Sequence, residues 1–289
     1  MKGPSNHDEL LALRTQRDSV TSHEVVEAGD RQVPVRIFGP GRPPRGVYLD
    51  IHGGGFYLGP TARENARNQQ LADTLGLAVV SVDYRIAPED PWPAAPDDCE
   101  TAALWLIEHA EARFGTTQLA IGGFSAGSTL AVTTLLRLRD RGLKAFDRAV
   151  LQFGTYDLSG LTAAGRLIAD EYFIQAYAGH VEDRTVPDIS PVHGDLSDLP
   201  PLLMVVGAED ILLHDNQAMA ARVRAAGGEA DLRVYPGAPH AFTNRDTEIA
   251  RAARHDIEAW LAAAQCPAPG VLARGPATAG SACSTRRAG

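Results

Sequence analysis

The chain is poor in cysteine. Its three, Cys99, Cys266 and Cys283, have spacings that fit neither a metal site nor a disulfide framework. Cys99 is expected to be packed in the interior and the other two to be incidental. There is no apolar run long enough to cross a membrane, and Met1 to Asn6 lacks the apolar stretch of a signal peptide. These absences predict a cytoplasmic protein with no stable membrane anchoring. Lys and Arg are not clustered and the net charge is -9, which argues against nucleic acid as a partner. None of the nine histidines falls in an H-E-x-x-H or similar ligand pair, so no metal is expected. No internal repeat is visible. Cys266 to Gly289 has no acidic residue and almost no large apolar one. Such a stretch cannot bury enough surface to offset its ordering entropy, and a disordered tail is expected.

What remains is a body in which strand-like and helix-like stretches alternate. Val33 to Phe38, Gly46 to Ile51, Leu77 to Asp83, Leu119 to Ile121, Ala149 to Phe153, Pro201 to Val206 and Leu232 to Tyr235 read as strands. Arg63 to Leu75, Asp97 to Phe114, Ala126 to Arg139, Asn216 to Ala226 and Asp246 to Ala264 read as helices, the first two stopped by Gly76 and Gly115. The pattern predicts an α/β fold with a mainly parallel sheet covered on both faces. Residues 1–265 are expected to form one domain. Between Asp157 and Pro200 the alternation breaks. Leu161 to Ala178 reads as a helix carrying Tyr172, Phe173 and Tyr177. Either it is an ordinary core helix, or residues 158–195 form a small lid together with residues 1–25, of which Asp8 to Arg17 looks helical.

Two glycine-rich patterns supply chemistry. Gly123-Phe124-Ser125-Ala126-Gly127 has the G-x-S-x-G form and lies between a strand and a helix, the setting in which a serine stands on a sharp turn. Alone it could be a turn with an idle serine. His52-Gly53-Gly54-Gly55 has the form of a loop that lends N–H groups to an oxyanion hole, and the two together favour a nucleophile. Gly54, Gly55 and Ala126 are the expected donors, and His52 is expected to position the loop. A serine hydroxyl needs a base to take its proton. His240 follows the last strand on a Pro/Gly-rich loop, and Asp210 follows the preceding strand, so the chain order is Ser125, Asp210, His240. Glu209 is the rival acid. Asp215 reads as a helix N-cap.

These blocks resemble the bacterial hormone-sensitive lipase-like branch of the α/β-hydrolases. The resemblance extends through Phe56, Asp83 to Glu89, Pro93 to Asp98, Ser190-Pro191, Asp195 to Pro201 and Tyr235 to Phe242. It implies an α/β-hydrolase fold, carboxylesterase activity on small acyl esters, a Ser125–Asp210–His240 triad, Gly54, Gly55 and Ala126 as oxyanion donors, and no cofactor. Three positions depart from the family pattern. Phe124 replaces an acidic or small residue, Ile211 stands where proline is usual, and Ala241 stands where glycine is common after the histidine. Phe56, Phe124, Tyr172, Phe173 and Tyr177 are expected to touch substrate. Phe124 and a short segment before His52 suggest a short acyl channel. Hydrolysis of a lactone or of an acetylated metabolite by the same triad is the alternative, and a non-catalytic ligand-binding protein on the same fold is the reading from another class. Homodimer formation stays open.

Overall fold

The computed structural model describes residues 3–15 and 24–263. The expected C-terminal tail, with Cys266 and Cys283, lies outside the described residues, as do Gln16 and Arg17 of the helix expected over Asp8 to Arg17. Helix α1 spans His7–Thr15. Eight strands form one sheet: β1 (Glu24–Ala28), β2 (Arg31–Phe38), β3 (Val47–Ile51), β4 (Ala78–Val82), β5 (Leu119–Phe124), β6 (Phe146–Gln152), β7 (Leu202–Gly207) and β8 (Ala230–Tyr235). The order across the sheet is β1-β2-β4-β3-β5-β6-β7-β8. The β1–β2 and β2–β4 pairs are antiparallel, and every pair from β4 to β8 is parallel. This is the α/β-hydrolase architecture, with α/β crossovers on both faces.

The central strands are buried on both sides, and alternate residues feed two interiors. Val47, Leu49 and Ile51 of β3 share one interior with helices α3 (Ala94–Phe114), α4 (Ala126–Asp140) and α6 (Leu213–Ala225). Tyr48 of the same strand faces the opposite side, where α2 (Ala62–Leu75) and α7 (Glu248–Ala262) close the other interior. Cys99 is buried among the first set.

Local chemistry accounts for several boundaries. Thr61 and Glu64 form a reciprocal capping box at the start of α2, and Gly76 ends it in the left-handed conformation at φ 68°. Helix α3 begins at Ala94, three residues before the expected start. Pro96 falls in its first turn, where a missing N–H costs nothing. Strand β1 was not expected. Its signal was present: Val25 and Val26 and the valine-rich β2 flank Gly29-Asp30, a hairpin dipeptide, and Gly29 has φ 64°.

The expected helix over Leu161 to Ala178 is not continuous. It is a 3₁₀ turn at Gly165–Leu167 and a short helix α5 at Tyr172–Ala178. Buried Asp157 is the reason. Its carboxylate accepts from the Ser159 and Thr162 N–H groups at 2.9 and 2.8 Å, folding the chain into a loop. A Cβ on Gly165 would strike the same carboxylate.

Candidate active site

Parallel strands all end on one side of a sheet, and the loops beyond their carboxyl ends make the natural crevice. The residues singled out from the sequence gather there. His52 to Gly55 follow β3, Ser125 follows β5, Asp210 follows β7 and His240 follows β8.

Ser125 lies between β5 and α4 with φ 52° and ψ -123°. Positive φ is uncommon for a residue with a side chain, and such strain persists only where the surroundings over-determine it. Here they do. The Ser125 N–H donates to the Gln152 carbonyl at 2.8 Å, and a Cβ on Gly123 would come within 2.6 Å of the Ile51 carbonyl oxygen. A Cβ on Gly127 would meet the same oxygen more closely still. Only two glycines let β3, β5 and α4 approach this tightly.

The His240 ring spans the acid and the serine. Its Nδ1 lies 2.9 Å from Asp210 Oδ2, and its Nε2 lies 3.2 Å from Ser125 Oγ. A carboxylate only accepts, so Nδ1 carries the proton and Nε2 faces the serine hydroxyl as an acceptor. Asp210 is buried and also accepts from the Leu212 N–H at 2.9 Å. The imidazole is 38% exposed, open to a reactant. Glu209, the rival acid, points to solvent.

Across from the histidine, Gly54 and Gly55 take φ 111° and 60°. A side chain on Gly54 would strike the Leu58 backbone, and one on Gly55 would strike the Tyr57 ring. The N–H groups of Gly54, Gly55 and Ala126 donate to no protein atom among the described residues. Ala126 opens α4, where the first N–H groups have no partner within the helix. His52 faces its own loop. Its Nδ1 lies 2.7 Å from the Gly53 carbonyl oxygen, and its ring stacks on Tyr84 at 4.1 Å. The Tyr84 hydroxyl donates to the His52 carbonyl at 3.0 Å.

The aromatic set divides. Phe56 is fully buried and stacks on buried Tyr177 at 4.0 Å, so both rings belong to the interior rather than to a substrate surface. Phe124 is also interior. Its ring turns to the α2/α7 side, 6.3 Å from Phe153, and lies directly under Gly53. It therefore cannot shorten an acyl channel. Tyr172 and Phe173 remain half-buried beside the loop, with Phe173 Cβ 3.3 Å from where a Gly55 Cβ would be. They pack with Leu10 of α1 and with Tyr57 and Leu58.

Asp215 is not the helix cap expected for it. Helix α6 starts at Leu213 after Leu212, and Asp215 lies buried in its first turn. One oxygen, Oδ2, accepts from the Tyr156 N–H at 2.5 Å. Burial pushes its carboxyl up to about 6 against the pull of these backbone donors. Asp157 moves the other way. Burial opposes its charge, but hydrogen bonds from Ser159 and Thr162 outweigh it and hold the carboxyl below its usual range.

Two contributors were not singled out from the sequence. Phe153, at φ 40°, sets its edge against the His240 ring at 5.1 Å. The hint was a large residue between a strand end and Gly154. Arg14 of α1 donates to the Tyr57 carbonyl at 2.8 Å, to the Ala87 carbonyl at 2.5 Å and to Glu89 at 2.7 Å. Nothing local in its helix marks it.

Among the described residues no helix is long and apolar enough to cross a membrane. Residues 48–244 match the family described as alpha/beta hydrolase fold. An arylesterase of Saccharolobus solfataricus is 32% identical over 250 residues, covering 81% of each chain. An ethyl acetate hydrolase of Pseudomonas putida is 31% identical over 254 residues, covering 81% of this chain and 79% of its own. A hormone-sensitive lipase from a metagenome library superposes with a TM-score of 0.75 at 30% identity, over 90% of both chains. The extent of these matches, together with the ordered loops at one end of a parallel sheet, means that this chain belongs to the hormone-sensitive lipase-like esterases of the alpha/beta hydrolase fold family.

Proposed function

We propose that the protein is a serine carboxylesterase that hydrolyses short-chain acyl esters through an acyl-enzyme. The observation that carries this reading is the hydrogen-bonded line from Asp210 through His240 to Ser125, facing three unengaged N–H groups. His240 Nε2 takes the Ser125 proton as Oγ attacks the ester carbonyl carbon. The carbonyl oxygen becomes an oxyanion, which the N–H groups of Gly54, Gly55 and Ala126 stabilise. The imidazolium, held in place by Asp210, returns its proton to the leaving alkoxide as the C–O bond breaks. Water then attacks the acyl-Ser125 ester, His240 takes its proton, and the acid leaves with Ser125 restored.

Ser125→Ala is expected to lower kcat for p-nitrophenyl acetate by about 10⁴ to 10⁶ with the fold intact. A fluorophosphonate is expected to label wild-type protein stoichiometrically at Ser125. Labelling at a different serine, or near wild-type turnover in the variant, would reject the assignment.

The preference for short acyl groups is supported by Phe173 lying against Gly55 and by the packing of Tyr172 and Phe173 on α1, which crowd the space above the loop. We read α1 and residues 158–195 as the lid of this site. The name of the Pseudomonas putida relative points to an acetyl ester as its substrate. Each methylene that finds an apolar wall adds at most roughly 0.8 kcal/mol, so kcat/KM should peak where the wall ends. Across acetate to laurate esters below micelle formation, the expected maximum lies at or below hexanoate. A maximum at decanoate or laurate would show that long chains leave along an open groove.

A further inference from the structure

Phe124 stands immediately before Ser125, and it is the position where this chain departs most in size from the acidic or small residue of the family pattern. Its ring has three neighbours. On one side it supports Gly53, so closely that a Cβ there would lie 2.6 Å from the ring. On another it meets Phe153, whose edge bears on the His240 imidazole. The third neighbour is a cation. The Arg67 guanidinium of α2 covers the Phe124 ring, with Cζ 4.7 Å from its centroid. The same guanidinium donates from Nη1 to Asn244 Oδ1 at 2.6 Å. Asn244 closes the 3₁₀ turn Phe242–Asn244, which is joined to His240 through Ala241. Arg63, one turn earlier on α2, donates to the Asn244 carbonyl at 2.9 Å.

Resting on the esterase reading, we propose that Arg67 is a positioning residue, which couples the His240 loop to the Phe124 platform under the oxyanion loop. The physical case is one of placement. The oxyanion loop and the general base sit on segments nearly two hundred residues apart, and chemistry requires them to face one reacting carbon. A second tie, from the Thr243 hydroxyl to Gln152 Oε1 at 2.9 Å, links the same loop to β6, whose last carbonyl holds the Ser125 N–H. That tie does not involve Arg67, so the loop stays attached when Arg67 is changed. What is lost is its register against the ring. A cation over an aromatic face attracts by the ring quadrupole, and the Arg67 guanidinium joins that contact to a directed hydrogen bond.

The test compares Arg67→Ala, Arg67→Lys and Asn244→Ala with wild type. The readouts are kcat and KM for p-nitrophenyl acetate, the rate of fluorophosphonate labelling at Ser125, and Tm. A 1 Å misplacement of reacting groups can cost on the order of 10²-fold, and a loosened register should cost less, so Arg67→Ala is expected to lower kcat and the labelling rate about tenfold. KM should stay within about twofold, since ground-state binding is untouched. Tm should move by no more than roughly 2 °C. Arg67→Lys, which keeps a cation and a donor, should recover most of the loss. The double variant Arg67→Ala/Asn244→Ala should be no slower than the worse single variant, because both break one link. Wild-type kcat and labelling in Arg67→Ala would overturn the proposal. So would a fall in kcat that tracks a fall in Tm and that lysine does not rescue. The labelling rate reads the Ser125–His240 geometry whether or not an ester is turned over, so an inactive wild type would count against the esterase reading alone.

Discussion

Ser125 stands at φ 52° between a strand and a helix that are both buried, and neither Gly123 nor Gly127 has room for even a methyl group. Tyr172 and Phe173, the second of them against Gly55, sit half-exposed on a helix of seven residues. The first region is a floor in which backbone meets backbone, so its geometry has one solution. The second is a roof of side chains laid on α1, held by Leu10 and by the three bonds of Arg14. Close packing transmits strain and leaves little freedom. On the reading proposed above, this site separates its tasks: the floor places reacting atoms, and the roof sets what enters.

That division can be broken in order of severity. Asp210→Asn changes the floor's chemistry with almost no change of shape. Its amide favours the wrong His240 tautomer, and kcat is expected to fall by roughly 10³ to 10⁴. Steady-state kinetics of the folded variant decide this. If Asp215→Asn proves more damaging to kcat, the acid has been misassigned.

Arg14→Met strikes the roof. It removes the donor shared by the Tyr57 and Ala87 carbonyls while keeping an apolar stem of similar length. The expected result is a KM raised by about 3- to 10-fold for p-nitrophenyl butyrate with kcat nearly unchanged, the pattern of lost uniform binding. A kcat that falls at constant KM would mean that α1 also shapes the floor, and the division would fail.

The smallest effect concerns stability. The Asp215 carboxyl is pushed from 3.8 up to about 6 in the folded protein. Between those values the unfolded chain is ionised while the folded chain still holds the proton, so stability declines as pH rises through that window and levels off above it. Asp215→Asn keeps an acceptor for the Tyr156 N–H and has nothing to ionise. Its Tm should exceed that of wild type by an amount that grows by about 2 to 4 °C between pH 5 and pH 7, then stays flat to pH 8. A gap that shrinks over this range would show that the backbone donors outweigh burial at this carboxylate.

Much of the floor was legible because its rules are local. A glycine on each side of a serine, and three glycines after a strand, state a steric requirement that any window of five residues displays. The strands that carry these loops announced themselves by short apolar runs, which is how doubly covered parallel strands read. The roof was less legible. Leu161 to Ala178 has helical composition, yet buried Asp157, just ahead of it, turns its first half into a loop through bonds from the Ser159 and Thr162 N–H groups. Asp215 looked like a cap because aspartate often is one, and only the approach of Tyr156 gives it another task.

The sequence by itself determined most of the alternation of strands and helices, the sharp turn at Ser125, the open glycine loop after His52, and the succession Ser125, Asp210, His240. Each depends on residue size or on position along the chain, which the sequence states outright. Tertiary structure decided which rings face the crevice. Phe56, Phe124 and Tyr177 went to the interior, and Phe124 became a platform between Gly53, Phe153 and Arg67. An aromatic ring is equally at home in a core and in a binding site. Its direction is set by partners tens to hundreds of residues distant, and only the packed molecule brings them together.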